Sequence, residues 1–147
     1  MKTSKLNPLH LDQQLCFSLY ATSRLLIQAY DSFLAELGVT YPQYLVLLVL
    51  WQNDRLSVKE ISKRLLLDSG TLSPLLKKLQ QKNLVKKSRP SIDERMVVVE
   101  LTADGKSLQK LATKIPNAMF CQLAMKEKDV ISLRQQLQIL TQTLQRS

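Results

Sequence analysis

The chain has 147 residues, 45% of them apolar and 22% charged, with only three Gly and five Pro, which predicts one globular domain over residues 1–147. Its longest apolar run, residues 44–51, is far shorter than the roughly 20 residues that span a bilayer, and residues 1–11 lack an apolar signal core, so we expect a cytoplasmic protein with no membrane partner. The formal net charge of +9 makes nucleic acid the first partner to consider.

Two helices are predicted at the start of the chain. Apolar residues recur at intervals of three and four from Leu11 to Leu37, which is the period of an amphipathic helix, and Gly38 can end that helix in a left-handed conformation. Residues 40–43 (Thr-Tyr-Pro-Gln) have the spacing of a capping box and open a second helix that runs to about Trp51. The second helix is apolar nearly all round, so we expect it at the centre of the domain.

A helix-turn-helix is predicted next. Residues 57–60 (Ser-Val-Lys-Glu) form a second capping box, which opens a short helix through Leu65. Another helix follows over about residues 69–82, and two short helices joined by a tight connection make a helix-turn-helix. The ring of Pro74 opposes a carbonyl one turn earlier, so the second helix either begins nearer Thr71 or bends at the proline.

A β-hairpin is predicted after these helices. Residues 84–89 and the β-branched run 96–101 face each other across a polar loop that contains Pro90. A hairpin placed directly behind a helix-turn-helix is a wing. The expected fold is therefore mainly α with a β-hairpin wing, a winged helix-turn-helix over about residues 41–101.

Two further helices are expected at the C-terminal end. Thr102 caps a long helix that begins at Ala103 and that Pro116 should kink. In the last helix the apolar residues follow the strict three-four spacing of a helix-helix seam, and they are Val130, Leu133, Leu137, Leu140 and Leu144. We therefore expect the terminal helices, about residues 9–37 and 103–145, to form the interface of a homodimer.

The positive charge is concentrated on the predicted winged helix-turn-helix. Residues 55–95 carry 11 Lys and Arg against four Asp and Glu, which is +7 of the total +9. This concentration favours DNA binding over a merely solvated basic face, and the region lacks aromatic residues on which the bases of a single strand could stack. Double-stranded operator DNA is therefore the expected partner.

The candidate DNA contacts fall on the second helix and the hairpin. Phosphates would be bound by Lys77, Lys78, Lys86 and Lys87, and base edges in a major groove by Ser69, Thr71 and Ser73. Arg89 or Arg95 could enter a neighbouring minor groove, because arginine favours its narrow, negative stretches. An alternative role for Arg95 is to pair with Asp93 and hold the wing together.

The sequence contains neither a set of metal ligands nor a nucleotide-binding loop. The two cysteines, Cys16 and Cys121, lie 105 residues apart and His10 is the only histidine, so no His/Cys metal set and no C-x-x-C pair can form. Three scattered glycines give no Gly-rich phosphate loop. We therefore expect no metal and no cofactor.

Cys16 has two open interpretations. A free Cys on a helix is most often a small buried hydrophobe, whereas a reactive thiol needs donors for its thiolate, which phenol hydroxyls can supply. Tyr30 lies 14 residues further along the same helix, roughly 21 Å away, so it cannot meet Cys16 within one subunit. In a two-fold dimer whose first helices cross antiparallel, Tyr30 and Tyr41 of one chain could approach Cys16 of the other. Otherwise these tyrosines fill the core.

Five segments resemble the organic hydroperoxide sensing branch of the MarR repressors, and the resemblance covers nearly the whole chain. They are residues 11–20 (Leu-Asp-Gln-Gln-Leu-Cys-Phe-Ser-Leu-Tyr), 40–44 (Thr-Tyr-Pro-Gln-Tyr), 67–74 (Leu-Asp-Ser-Gly-Thr-Leu-Ser-Pro), 93–95 (Asp-Glu-Arg) and 101–105 (Leu-Thr-Ala-Asp-Gly). The resemblance implies that an organic peroxide oxidises Cys16 and that Tyr30 and Tyr41 hydrogen-bond to it across the dimer. It also implies that Cys121 is the resolving cysteine of a two-cysteine type.

The sequence thus predicts a dimeric repressor, not an enzyme, that holds an operator while Cys16 is reduced and releases it when organic hydroperoxide oxidises Cys16. A bond across the dimer would change the spacing of the two recognition helices. Three alternatives stay open. They are a MarR repressor that binds a phenolic or other small ligand with Cys16 inert, a thiol peroxidase that uses both cysteines, and a winged-helix module that binds protein.

Overall fold

The computed structural model describes residues 7–90 and 95–147 and divides the chain into two compact units, one that ends at Thr113 and one that comprises Lys114–Ser147. The first unit contains α1 (Leu15–Leu34), α2 (Tyr41–Gln52), β1 (Leu56–Ser57), α3 (Val58–Leu65), α4 (Ser69–Gln81), β2 (Val85–Ser88), β3 (Val98–Leu101) and α5 (Ala103–Ala112). The second contains α6 (Ile115–Leu123) and α7 (Glu127–Gln145). The expected mainly α fold with a β-hairpin wing is confirmed.

The sheet of the first unit has three antiparallel strands in the order β1-β3-β2. The hairpin pairs Val85 with Leu101 and Ser88 with Val98. Strand β1, which pairs Leu56 with Val99, was not expected, because two residues carry no recognisable alternation. The third strand ties the start of α3 to the wing, since Val58 N also donates to Val97 O at 3.0 Å.

The core of this unit is built around α2. Val46, Leu47 and Leu50 on this helix are at most 1% exposed, and α2 contacts α1, α3, α4 and α5. The expectation of a central, nearly all-apolar helix is confirmed. Helix α4 adds its buried face to the same core, which consists of Leu72, Leu76 and Leu79.

Local capping signals set most helix starts. Thr40 N donates to the Gln43 side chain at 3.2 Å, and Ser57 and Glu60 form the second predicted capping box. Thr102 Oγ1 accepts from Gly105 N at 3.1 Å and so caps α5. Each cap satisfies backbone N–H groups that the first helical turn leaves without intrahelical partners.

Three expected helices differ in detail. The stretch 11–37 is a 3-10 turn, α1 and a second 3-10 turn, because Gln14 is extended; Gly38 ends it at φ 64° as expected. Helix α4 begins at Ser69, capped by Asp68, and accommodates Pro74 within it, which excludes the alternative of a start nearer Thr71. The helix expected to kink at Pro116 is instead two helices, α5 and α6, with Pro116 in the first turn of α6.

Helix α7 of the second unit leaves its apolar residues uncovered within the chain, whereas Ile115 and Met119 of α6 are buried. No residue of α7 is buried, and on the predicted seam Leu133 is 45% and Leu144 is 65% exposed. Along the described residues no single helix is long and apolar enough to cross a membrane; residues 15–37 and α2 pass that test only as a pair bent by 66°, and α2 lies in the core.

The approach of α5 to the hairpin requires glycine at position 105. A Cβ built on Gly105 would lie 2.1 Å from Leu84 O, a backbone atom that already accepts from Thr102 N. Trp51 Nε1 donates to Gly105 O at 2.9 Å, so the same residue also joins α5 to α2.

We predict that Gly105→Ala destabilises the fold by about 1–3 kcal/mol or more, as overpacking does, despite the better helix propensity of Ala. The free energy of unfolding from a urea titration is the measurement. Ser107→Ala on the exposed side of α5 is the matched control and should lie near wild type. A Gly105→Ala protein as stable as this control would contradict the close approach.

Candidate nucleic-acid interface and redox site

A tight turn fixes α4 against α3. Leu66 adopts a left-handed conformation at φ 55°, Leu67 N donates to Ser62 O at 3.1 Å, and Ser62 Oγ donates to Leu67 O. Asp68 then accepts from Thr71 N at 2.7 Å, and this backbone hydrogen bond lowers the pKa of the Asp68 carboxyl. The capping carboxylate is therefore charged at neutral pH and holds the start of the helix in place.

The exposed face of α4 carries the residues expected to meet DNA, which are Ser69, Thr71, Ser73, Lys77 and Lys78. The Thr71 hydroxyl donates to Asp68 Oδ2 at 3.1 Å, so its oxygen is left to accept a hydrogen bond. The structure thus gives Thr71 a capping role that the sequence did not reveal. Its contact with a base edge stays a prediction.

A cleft of about 840 Å³ brings the wing next to the starts of α3 and α4. Ser73 and the predicted cations Lys87, Arg89 and Arg95 line it together. Lys59 also lines the cleft, although the sequence analysis did not include it among the candidates. The pattern that could have revealed it is a basic residue in the first turn of a capped helix. A second groove, lined by Ser73, Lys77 and Lys87, continues along α4.

Lys86 is not brought to this cleft. Its Nζ lies 3.1 Å from Glu100 Oε1, on the residue opposite it in β3, and Arg55 Nε lies 3.4 Å from the other oxygen of Glu100. Neighbouring residues of a strand point to opposite faces, so Lys86 and Lys87 differ in their surroundings. Asp93 lies outside the described residues, and its pairing with Arg95 stays a prediction.

Three tyrosines form a cluster where α1 meets α2. The ring centroids of Tyr30 and Tyr41 are 4.7 Å apart, and Tyr44 lies 6.0 Å from Tyr30 and 6.3 Å from Tyr41. Burial raises the pKa of all three phenols, which therefore keep their protons at neutral pH and can act as hydrogen-bond donors. Sequence reasoning missed Tyr44; its signal was the spacing of three from Tyr41, on one face of a helix.

Both cysteines are free and exposed. Cys16 is in the first turn of α1 beside apolar side chains that the chain itself leaves uncovered, with Leu15 64% and Phe17 39% exposed. Cys121 lies in the second unit, on α6. The interpretation of Cys16 as a buried hydrophobe does not hold in the single chain.

Comparisons with known proteins identify the family. A family model described as Transcriptional regulator SarA/Rot matches residues 28–111. The organic hydroperoxide resistance transcriptional regulator of Bacillus subtilis (strain 168) is 41% identical over 141 residues, 96% of each chain. The structure of reduced AbfR bound to DNA has a TM-score of 0.80 at 35% identity and covers 92% of this chain and 93% of AbfR. The chain belongs to the MarR family of winged-helix regulators.

AbfR, a protein of Staphylococcus epidermidis, also has a disulfide-formed structure, which is 37% identical with a TM-score of 0.66 and covers 89% of this chain and 92% of that one. The relatives of this MarR-family chain are transcriptional regulators, which confirms that it is not an enzyme and overturns the thiol peroxidase alternative. The chain is a DNA-binding transcriptional repressor. Among residues 7–90 and 95–147, no three His, Cys, Asp or Glu side chains come together as a metal site.

The two neighbouring lysines of β2 provide a matched pair for testing the interface. We expect Lys87→Ala to weaken DNA binding and to lower the slope of log affinity against log salt by about one, because one phosphate contact is lost. Lys86→Ala should change the slope less, since Glu100 already neutralises Lys86. Fluorescence anisotropy of a duplex selected by the reduced protein from a random pool gives both slopes. A larger effect of Lys86→Ala would contradict the assignment.

Proposed function

We propose that this chain is a dimeric repressor that holds its operator while Cys16 is reduced and releases it when an organic hydroperoxide oxidises Cys16. One observation carries this proposal: Cys16 is an exposed thiol in a chain 41% identical to an organic hydroperoxide resistance transcriptional regulator. The exposed apolar side chains around Cys16 would also favour an organic over a small polar peroxide.

A homodimer is supported by the apolar surface that each unit leaves uncovered. Leu25 on α1 is 65% exposed and Ile27 is 37% exposed, and α7 has the seam spacing without a buried residue. Exposed apolar residues in such numbers are typical of an interface. A two-fold axis would also bring Tyr30 and Tyr41 of one subunit to Cys16 of the other, which the length of α1 prevents within one subunit.

The chemistry proceeds in two steps. The Cys16 thiolate attacks the terminal peroxide oxygen, and the O–O bond breaks to give a Cys16 sulfenic acid and an alkoxide, which takes up a proton from solvent and leaves as the alcohol. The thiol of Cys121 from the partner subunit then condenses with the sulfenic acid, which forms a disulfide and releases water. A disulfide requires Cα atoms within about 7 Å, and in this proposal the movement that brings the two cysteines together also shifts the DNA-binding helices.

The decisive experiment compares wild type with Cys16→Ser in a DNA-retardation assay, before and after treatment with cumene hydroperoxide and then with dithiothreitol. We expect wild type to lose DNA after oxidation and to regain it after reduction. Cys16→Ser should hold DNA throughout. Release of DNA from oxidant-treated Cys16→Ser would contradict the proposal, and release by a phenolic ligand alone would support the non-covalent alternative.

The tyrosine cluster generates a second prediction. Tyr30→Phe and Tyr41→Phe keep the ring and lose the hydroxyl, so DNA affinity should survive. Oxidation of Cys16 should slow by roughly an order of magnitude, because a hydrogen bond to a charged group is worth about 1.5–3 kcal/mol. The rate is measured by mass spectrometry after quenched reaction with cumene hydroperoxide.

Tyr20→Phe is the matched control for this measurement. Tyr20 lies one turn from Cys16 on the same α1 and is 60% exposed, so it tests whether a donor within the subunit suffices. We expect wild-type oxidation. Slower oxidation in Tyr20→Phe alone would assign the donor to the same subunit, and Tyr30 and Tyr41 to packing.

Cys121 generates a third prediction. After treatment with hydroperoxide, wild type should run as a dithiothreitol-sensitive dimer on a non-reducing denaturing gel. Cys121→Ser should run as a monomer that carries a Cys16 sulfenic acid, which can be trapped chemically and is prone to irreversible oxidation. A wild type that runs as a monomer with Cys16 blocked by a small thiol would contradict the resolving role.

A further inference from the structure

A polar contact joins the C-terminal end of α4 to the corner between α1 and α2. Lys82, directly after α4, donates from its Nζ to Gln43 Oε1 at 3.0 Å and also to Gly38 O. Gln43 Oε1 accepts in addition from Thr40 N at 3.2 Å. Gln43 is only 2% exposed and is the one buried polar side chain among the described core residues.

This contact lies between the tyrosine cluster and the helix that carries the expected DNA contacts. Gln43 is flanked on the first turn of α2 by Tyr41 and Tyr44, two members of the tyrosine cluster. Lys82 ends the helix whose exposed face carries the expected DNA contacts. A helix of 13 residues is a rigid rod of roughly 20 Å, so a shift at its end is carried to its start.

We infer that Lys82 is a positioning residue that couples the tyrosine cluster to the recognition helix α4. While Tyr30, Tyr41 and Tyr44 are packed together, Gly38 O and Gln43 Oε1 both accept hydrogen bonds from the Lys82 ammonium. These hydrogen bonds hold α4 in its DNA-binding position. A displacement of Tyr41 moves the first turn of α2 and withdraws both acceptors. The inference rests on the proposed release of DNA by oxidation.

The energetics suit such a coupling. A hydrogen bond from a charged donor is stronger than one from a neutral donor, so loss of the Lys82 ammonium removes the stronger of the two hydrogen bonds that Gln43 Oε1 accepts. Helices α2 and α4 also pack against each other, so the fold does not depend on the polar contact alone. Loss of the contact should therefore change the response to oxidation more than it changes the fold.

The test measures the ratio of the dissociation constants of the oxidised and reduced protein for the selected duplex. We expect Lys82→Met to lower this ratio at least about fivefold, the lower end of typical allosteric couplings, through weaker binding by the reduced form. Gln43→Met should also lower the ratio, and the double variant should show less than the sum of the two single effects, because both changes remove the hydrogen bond between Lys82 and Gln43. Lys82→Arg should restore much of the ratio, since a guanidinium can donate to both acceptors.

Two controls separate coupling from charge and from stability. Lys110→Met removes one exposed positive charge on α5 and should leave the ratio unchanged. The thermal midpoint of each variant is measured alongside. A purely structural Lys82 would lower the midpoint and keep the wild-type ratio, which overturns the inference. If the wild-type protein itself binds DNA equally well when oxidised and when reduced, so that its ratio of dissociation constants is one, the proposed function is contradicted instead.

Discussion

The burial of α2 is the constraint on which the first unit depends. Because its central residues are apolar on every side, they must be covered at once by α1, α3, α4 and α5. Each large apolar side chain buried in this way contributes about 1.5–3 kcal/mol. The helix therefore cannot move without a response from its neighbours, and the tyrosine cluster at one end and Trp51 at the other are held in fixed positions.

The cations expected to bind DNA and the two cysteines lie on different elements of the chain. The cations Lys59, Lys87 and Arg95 line one cleft with Ser73 of α4, and their positive charge favours phosphate there. The cysteines lie on helices that expose apolar residues. Helix α2 contacts both α1, which carries Cys16, and α4, so the proposed signal from Cys16 would pass through the core.

Local signals in the sequence were enough to predict the element order. Capping boxes, the left-handed stop at Gly38 and the β-branched run after the wing loop are short-range patterns, and each is present in the structure. The strand β1 was missed because two residues show no period. The break between α5 and α6 was predicted as a kink, since Pro116 suits the first turn of a new helix as well as a bend.

The sequence was enough to predict which residue types form the candidate site, but most of the contacts between those residues could not be predicted from it. Charge density predicted which surface binds DNA, but only the register of β2 and β3 pairs Lys86 with Glu100 and leaves Lys87 at the cleft. Tyr44 was hidden in an apolar helix, and the contact of Lys82 with Gln43 joins residues 39 positions apart, which no local pattern reveals. The roles of the cysteines came from the family resemblance.

The most direct test of the central claim follows the thiol of Cys16 and the bound DNA in one sample. Cumene hydroperoxide is added in steps below one equivalent per subunit, the Cys16 thiol is quantified by peptide mass spectrometry, and the bound duplex is measured by anisotropy. We predict that bound DNA falls in step with the Cys16 thiol and returns with dithiothreitol. DNA that stays bound after Cys16 is fully oxidised, or leaves while its thiol is intact, would contradict the account.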